Sequence, residues 1–78
     1  MPTVLRVDGY RFFFVSQDRD EPPHIHVRRE KKVAKVWLDP LALARDGGFR
    51  PVEINKILKL VRKHRGQLLE KWYEYFGR

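Results

Sequence analysis

The segment from Pro51 to Phe76, a third of the chain, dictates most of what it can become. Ile54, Ile57, Leu58, Val61, Leu68, Trp72, Tyr75 and Phe76 recur three or four residues apart, which is one apolar stripe along an α-helix. Pro51 at the first position and Glu53 in the first turn suit a helix start, and Phe49 and Ile54 are spaced for a hydrophobic staple. Arg50 is a poor N-cap, so that end is expected to fray, while Gly77 supplies the stop. A helix this long runs to about 39 Å at 1.5 Å per residue, whereas a six-residue strand covers about 20 Å. Either the helix bends at Gly66 or it projects past its sheet and offers Trp72, Tyr73, Tyr75 and Phe76 to a second copy, a homodimer.

The remainder reads as strands. Asp8-Gly9 is a two-residue type I′ turn signal between Val4–Val7 and Tyr10–Val15, so Thr3 to Ser16 is expected to be a β-hairpin. Val7 would then pair with Tyr10, Leu5 with Phe12 and Thr3 with Phe14 on one face. Val4, Arg6, Arg11, Phe13 and Val15 would take the other. Both faces are apolar, so the one away from the helix is expected to meet a partner or to be covered by the loop and a short helix. Gln17 to Pro23 is a polar loop whose Pro22-Pro23 holds the entry to the next strand extended. His24–Arg28 and Val33–Leu38 form a second hairpin. Asp39-Pro40 then reads as N-cap and first position of a short helical turn ended by Gly47-Gly48. The expected fold is a single α+β domain over residues 1–78: a four-stranded antiparallel sheet of two hairpins, a short helical turn, and one long C-terminal helix packed on one face.

Composition narrows the function classes. The absence of Cys removes disulfides, thiolate ligands and a Cys nucleophile. The longest apolar runs, Phe12–Val15 and Leu41–Ala44, are far short of the roughly 20 residues that span a bilayer. No charged-then-apolar leader follows Met1, so a cytoplasmic location and no membrane association are expected. A net charge of +7 is concentrated late in the chain, and Asn55–Arg65 holds Lys56, Lys59, Arg62, Lys63 and Arg65 without an acid. Such a field attracts polyanions, or it is simply the solvated face of a helix.

Chemistry-bearing residues cluster around His24-Ile25-His26. An even-length turn through Glu30-Lys31 puts Ile25, Val27, Ala34, Val36 and Leu38 on the core face. His24, His26, Arg28, Lys35 and Trp37 then share the face turned away from the helix. Two imidazoles about 7 Å apart on that face can serve as the acid and base of RNA cleavage, since imidazole exchanges protons near neutral pH. They can also touch phosphate or have no task, and sharing a metal is the least favoured of their uses. No metal and no cofactor is expected: the remaining His64 sits on the helix, across the sheet, unless an odd-length second turn brings all three together. Arg28 and Lys35 would neutralise phosphate. Trp37 would stack a base or plug an interface. Lys56, Lys59 and Lys63, on the outer side of the helix, would contribute general electrostatic attraction to nucleic acid. Arg65 falls inside the apolar stripe, where it either bridges to Asp39 or presents a fork to phosphate, the bridge being favoured. Asp18, Asp20 and Glu21 either orient an imidazole or are ordinary loop acids.

Pro2–Arg6, Asp8-Gly9-Tyr10-Arg11-Phe12-Phe13-Phe14, Glu21-Pro22-Pro23-His24-Ile25-His26-Val27, Trp37-Leu38-Asp39-Pro40, His64-Arg65 and the aromatic end from Trp72 to Gly77, taken in order, resemble a bacterial family described only as domain of unknown function 4160. That resemblance implies a component of a toxin–antitoxin pair, because members are often encoded beside a second small protein. Size, basic charge and a strand-borne histidine are also similar to the HicA type of mRNA-cleaving toxin. The leading expectation is therefore a small toxin-like protein that engages RNA and can cleave it by metal-independent chemistry at His24 and His26, with a cognate small protein as partner. The alternatives are a non-catalytic interaction module, as antitoxin or regulatory subunit, and a hydrolase with a His-ligated metal.

Overall fold

Pairing of the two hairpins builds the sheet. The computed structural model describes residues 3–15 and 20–77. Its strands are β1 (Thr3–Val7), β2 (Tyr10–Phe13), β3 (His24–Arg29), β4 (Lys32–Leu38) and β5 (Leu41–Arg45), followed by α1 (Pro51–Phe76). The strands lie side by side in chain order, each antiparallel to the next. The fold is α+β, with five strands where four were expected.

The extra strand replaces the expected helical turn. Leu41 pairs with Leu38, Ala42 with Trp37 and Leu43 with Val36, so residues expected to coil instead extend along the outer side of β4. The Asp39-Pro40 bond, which is cis, lies in the turn between the two strands. Leu and Ala are intrinsically good helix formers, but the differences amount to only tenths of a kcal/mol per residue. Pairing with a strand whose Ala34, Val36 and Leu38 are fully buried outweighs them. The chain then turns at Gly47 (φ 64°), where an added Cβ would lie 1.9 Å from the Val33 carbonyl oxygen. No side chain fits there.

The first hairpin turns as expected, with Asp8 and Gly9 at φ 52° and 83°. Its register departs from the expected one at a bulge between Thr3 and Leu5, which pairs Thr3 with Phe13 instead of Phe14. Val4 consequently packs on the core side with Leu5 and Val7. Bulges insert one residue against the partner strand and so switch which face the next side chain takes. The outer face is thereby less apolar than expected.

In α1 most of the stripe is used as expected: Ile54, Ile57, Val61, Leu68 and Trp72 are buried against Phe12, Ile25, Val27, Ala34, Val36 and Leu38, Leu58 and Phe76 are partly buried, and Tyr75 is exposed. Arg50 makes no side-chain cap, Phe49 and Ile54 are both buried at the staple, and Gly77 closes the helix with its N–H on the Tyr73 carbonyl. The helix is unbroken through Gly66. Its far end is capped from within the chain. Phe14 contacts the rings of Trp72, Tyr75 and Phe76 at centroid distances of 5.4, 5.9 and 5.9 Å. Trp72 is thus buried, and of the aromatic residues at this end only Tyr73 and Tyr75 are substantially exposed. Among the described residues no helix is long and apolar enough to cross a membrane.

Candidate nucleic-acid interface

Because α1 covers one side of the sheet, alternation sends every second strand residue to the other. Cross-strand partners there form three rows. Arg6, Arg11 and Arg28 are directly opposite one another on β1, β2 and β3. Phe13, His26, Lys35 and Arg45 form the second row across β2 to β5, and His24, Trp37 and Ala42 the third across β3 to β5. Arg45 reaches this face through a bulge between Lys35 and Val36, which sets it opposite Lys35.

Cations and rings are interleaved on this side of the sheet, where Phe13 is buried and His26 and Trp37 are half-buried. The Arg11 guanidinium lies 5.1 Å from the Phe13 ring centroid, and its Nε donates to Thr3 Oγ1 at 2.7 Å. Phe13 stacks on His26 at 5.4 Å with 22° between planes. The Lys35 ammonium stands 4.6 Å from the Trp37 ring centroid and donates to Glu21 Oε1. Arg28 Nε donates to the Glu30 carbonyl at 2.9 Å. Ammonium or guanidinium over an aromatic face is attracted by the ring quadrupole, so Arg11 and Lys35 are each held near a ring.

His24 departs from the expected outward position. Its ring is fully buried, and its Nδ1 lies 2.9 Å from the Pro22 carbonyl, where it serves as donor. It packs edge-on to His26 (5.1 Å) and Trp37 (5.4 Å) and also against Trp72 of α1 at 5.0 Å. The reason is position. His24 opens β3 at the end of the sheet where α1 carries Trp72, and Pro23 is tied to β4 by the Leu38 N–H. The ring is therefore enclosed by Trp37 on one side and Trp72 on the other. His26, two residues on, remains half-buried on the open face.

The other expected site residues divide. Arg28, Lys35 and Trp37 do share the open face. Lys59 and Lys63 are exposed on the outside of α1, on the far side of the sheet, and Lys56 Nζ rests 5.8 Å from the buried Tyr10 ring. One flat ligand cannot touch both sets. Arg65 takes the structural role: its Nε donates to the Leu38 carbonyl at 2.6 Å and a terminal nitrogen to Asp39 Oδ1 at 3.1 Å, pinning the turn between β4 and β5. His64 lies on α1, away from the paired imidazoles, and among the described residues no three His, Asp or Glu side chains are grouped to hold a metal ion. Glu21 engages Lys35 and not an imidazole, and Asp18 lies outside the described residues.

Arg6, Arg11 and Arg45 also join the open face, although sequence reasoning does not single them out as site residues. Counting from the Asp8-Gly9 turn already places Arg6 opposite Arg11. Their alignment with Arg28 needs the β2–β3 register, which the intervening loop hides.

No curated protein and no solved structure matches the chain. The model of the family described as "Domain of unknown function (DUF4160)" matches residues 9–73, which take in β2 to β5 and most of α1, and the chain belongs to that family.

Proposed function

We propose that this domain is a small RNA-engaging component of a toxin–antitoxin pair, and that it holds single-stranded RNA on the open face of its sheet. The observation that carries the reading is the interleaving of cations with rings there, above all Lys35 over Trp37 beside His26 and Arg28. Single-strand binders combine a positive surface along the backbone with aromatic platforms for the bases. The half-buried Trp37 offers such a platform, and Arg28 and Lys35 offer the charge. The lysines of α1 then add long-range attraction without contact.

The burial of His24 favours binding over cleavage. Acid–base scission needs a proton acceptor and a proton donor within reach of the substrate, and a fully enclosed ring reaches nothing outside the chain. His26 alone of the pair remains at the surface, so His24 is read as the support beneath Trp37. A cognate partner protein, if it silences this activity, covers the same cations and is therefore acidic on its contacting surface.

The test is fluorescence anisotropy of labelled single-stranded RNA, in EDTA, with wild type, Trp37→Ala, Lys35→Gln and His26→Ala, followed by electrophoresis of the same samples. Binding by wild type that weakens in Trp37→Ala and Lys35→Gln, with the RNA intact, is the expected result. Absence of binding by wild type refutes the reading. Scission lost in His26→Ala would restore the enzymatic alternative.

A further inference from the structure

We infer that the cross-strand row Arg6–Arg11–Arg28 is a binding site for a chain of phosphates, the track along which a polyanionic backbone crosses the sheet. Its natural ligand rests on the proposed RNA reading, with which it shares Arg28, but the row lies apart from Trp37 in the sheet and stands on its own geometry.

Three arginines stand directly opposite one another on adjacent strands. Neighbouring strands lie about 4.8 Å apart, and directly opposed Cβ atoms about 5 Å apart, so like charges in this arrangement repel and destabilise the sheet. Ion pairs among the described residues do not offset them: these join Lys32 to Glu53, Lys35 to Glu21 and Arg65 to Asp39, and none involves this row. The repulsion is removed when an anion with several charges lies across the row.

The side chains are also held. Arg11 is anchored through Nε to Thr3 Oγ1 and Arg28 through Nε to the Glu30 carbonyl. Both anchors use one edge of the guanidinium, and its terminal nitrogens make no hydrogen bond to a described residue. Planar forks fixed in this way lose little freedom on meeting phosphate and suit its geometry better than free lysine arms. The two anchors draw the forks in opposite directions along the strands, Arg11 towards Thr3 and Arg28 towards the β3–β4 turn. Spread heads match successive phosphates of a chain better than one phosphate.

The experiment measures binding of labelled oligouridylate against NaCl concentration for wild type, Arg6→Gln, Arg11→Gln and Arg28→Gln, with Lys59→Gln and Lys63→Gln as charge-matched controls. Circular dichroism verifies that each variant is folded, and relief of repulsion should leave the row variants at least as stable. Each phosphate contact to a single strand contributes about 0.7 to the slope of log K against log salt. The expected result is a slope smaller by about 0.7 in each row variant and by much less in the controls, which make no phosphate contact. If instead the slope falls in the lysine variants and holds in the row variants, the row is overturned while RNA binding stands. If wild type binds no oligouridylate, the RNA reading fails, and thermal denaturation with inorganic polyphosphate decides the row. Protection present in wild type and the lysine controls but lost in the row variants keeps the site. Protection equal in all proteins, or absent in all, overturns it.

Discussion

Replacing His24 with Ala separates a structural imidazole from a catalytic one. The ring is fully buried among His26, Trp37 and Trp72, and its Nδ1 is bonded to the Pro22 carbonyl. Truncating a buried Phe or Trp to Ala costs about 3–5 kcal/mol through lost transfer energy and the cavity left behind. Imidazole is smaller and polar, so about 2 kcal/mol is the appropriate share, and the lost hydrogen bond adds about 1 kcal/mol. The sum, about 3 kcal/mol, is a large fraction of the roughly 5 kcal/mol expected at the low end for a small domain. At about 4–8 °C per kcal/mol, the melting temperature should fall by about 12–24 °C. His26→Ala, which removes a half-buried ring stacked on Phe13, should cost about 1 kcal/mol, the middle of the range for one aromatic pair. Urea titration monitored by tryptophan fluorescence and circular dichroism reads both. A His24→Ala protein within about 0.5 kcal/mol of wild type, the margin of an ordinary surface change, would refute the reasoning and return His24 to the solvent-facing groups. Lost activity in His24→Ala, taken alone, would therefore report unfolding and not chemistry.

Single contacts elsewhere in the fold give three more expected outcomes. Gly47→Ala combines a left-handed backbone, costing about 1–2 kcal/mol, with a Cβ driven into the Val33 carbonyl, for which overpacking adds about 1–3 kcal/mol; an unshifted urea midpoint would contradict the close approach. Arg65→Ala should destabilise by about 1.5–3 kcal/mol, the range for hydrogen bonds that involve a charged group, whereas Asp39→Ala should cost under about 1 kcal/mol because that pair is largely exposed. A double-mutant cycle in urea would find most of the Arg65 effect independent of Asp39, owing to the bond to Leu38. Glu21→Gln frees Lys35 from its carboxylate partner in a partly buried pair and should tighten RNA binding by up to about fivefold, the equivalent of about 1 kcal/mol, the upper end for ion pairs at a protein surface; unchanged or weaker anisotropy binding argues against Lys35 as an RNA contact.

Signals in the sequence are strong where local physics decides. Asp8-Gly9 specifies a turn, the Ile54–Trp72 stripe specifies the helix and its buried side, and Glu30-Lys31 decides which residues of the second hairpin face the core. Arg65 is placeable at Asp39 because an arginine within an apolar stripe needs an acceptor nearby, although the shorter bond, to the Leu38 carbonyl, has no side-chain signature. Tertiary effects are illegible. Leu41–Arg45 has the composition of a helix and becomes a strand only because β4 presents an edge beside a buried core. Alternation puts His24 on the outer face, but the end of a sheet is not a plane, and a 26-residue helix carries Trp72 round to close over it. Bulges at Thr3/Leu5 and Lys35/Val36 likewise shift faces with no marker in the residues themselves.

The two histidines of one His-x-His therefore carry different physical burdens. His24 is locked between two indoles, and through Trp37 it sets the aromatic element of the open face. His26 lies in that face with a ring on one side and Lys35 as its cross-strand partner. Burying the first fixes the surface on which the second is displayed. A flat binding surface made of long cationic side chains is otherwise floppy, because arginine and lysine each lose up to about 2 kcal/mol of rotamer entropy when fixed. Here the arms are leaned on rings and oxygen acceptors before any ligand arrives: Arg11 on the Phe13 ring and the Thr3 hydroxyl, Arg28 on the Glu30 carbonyl, Lys35 on the Trp37 ring. Part of the ordering cost is met during folding, which a domain of 78 residues can bear only with an intact core. Binding and stability should consequently be coupled at this end of the sheet: a substitution that loosens Trp72 on the helix face should weaken RNA binding on the opposite face, without touching a single cation.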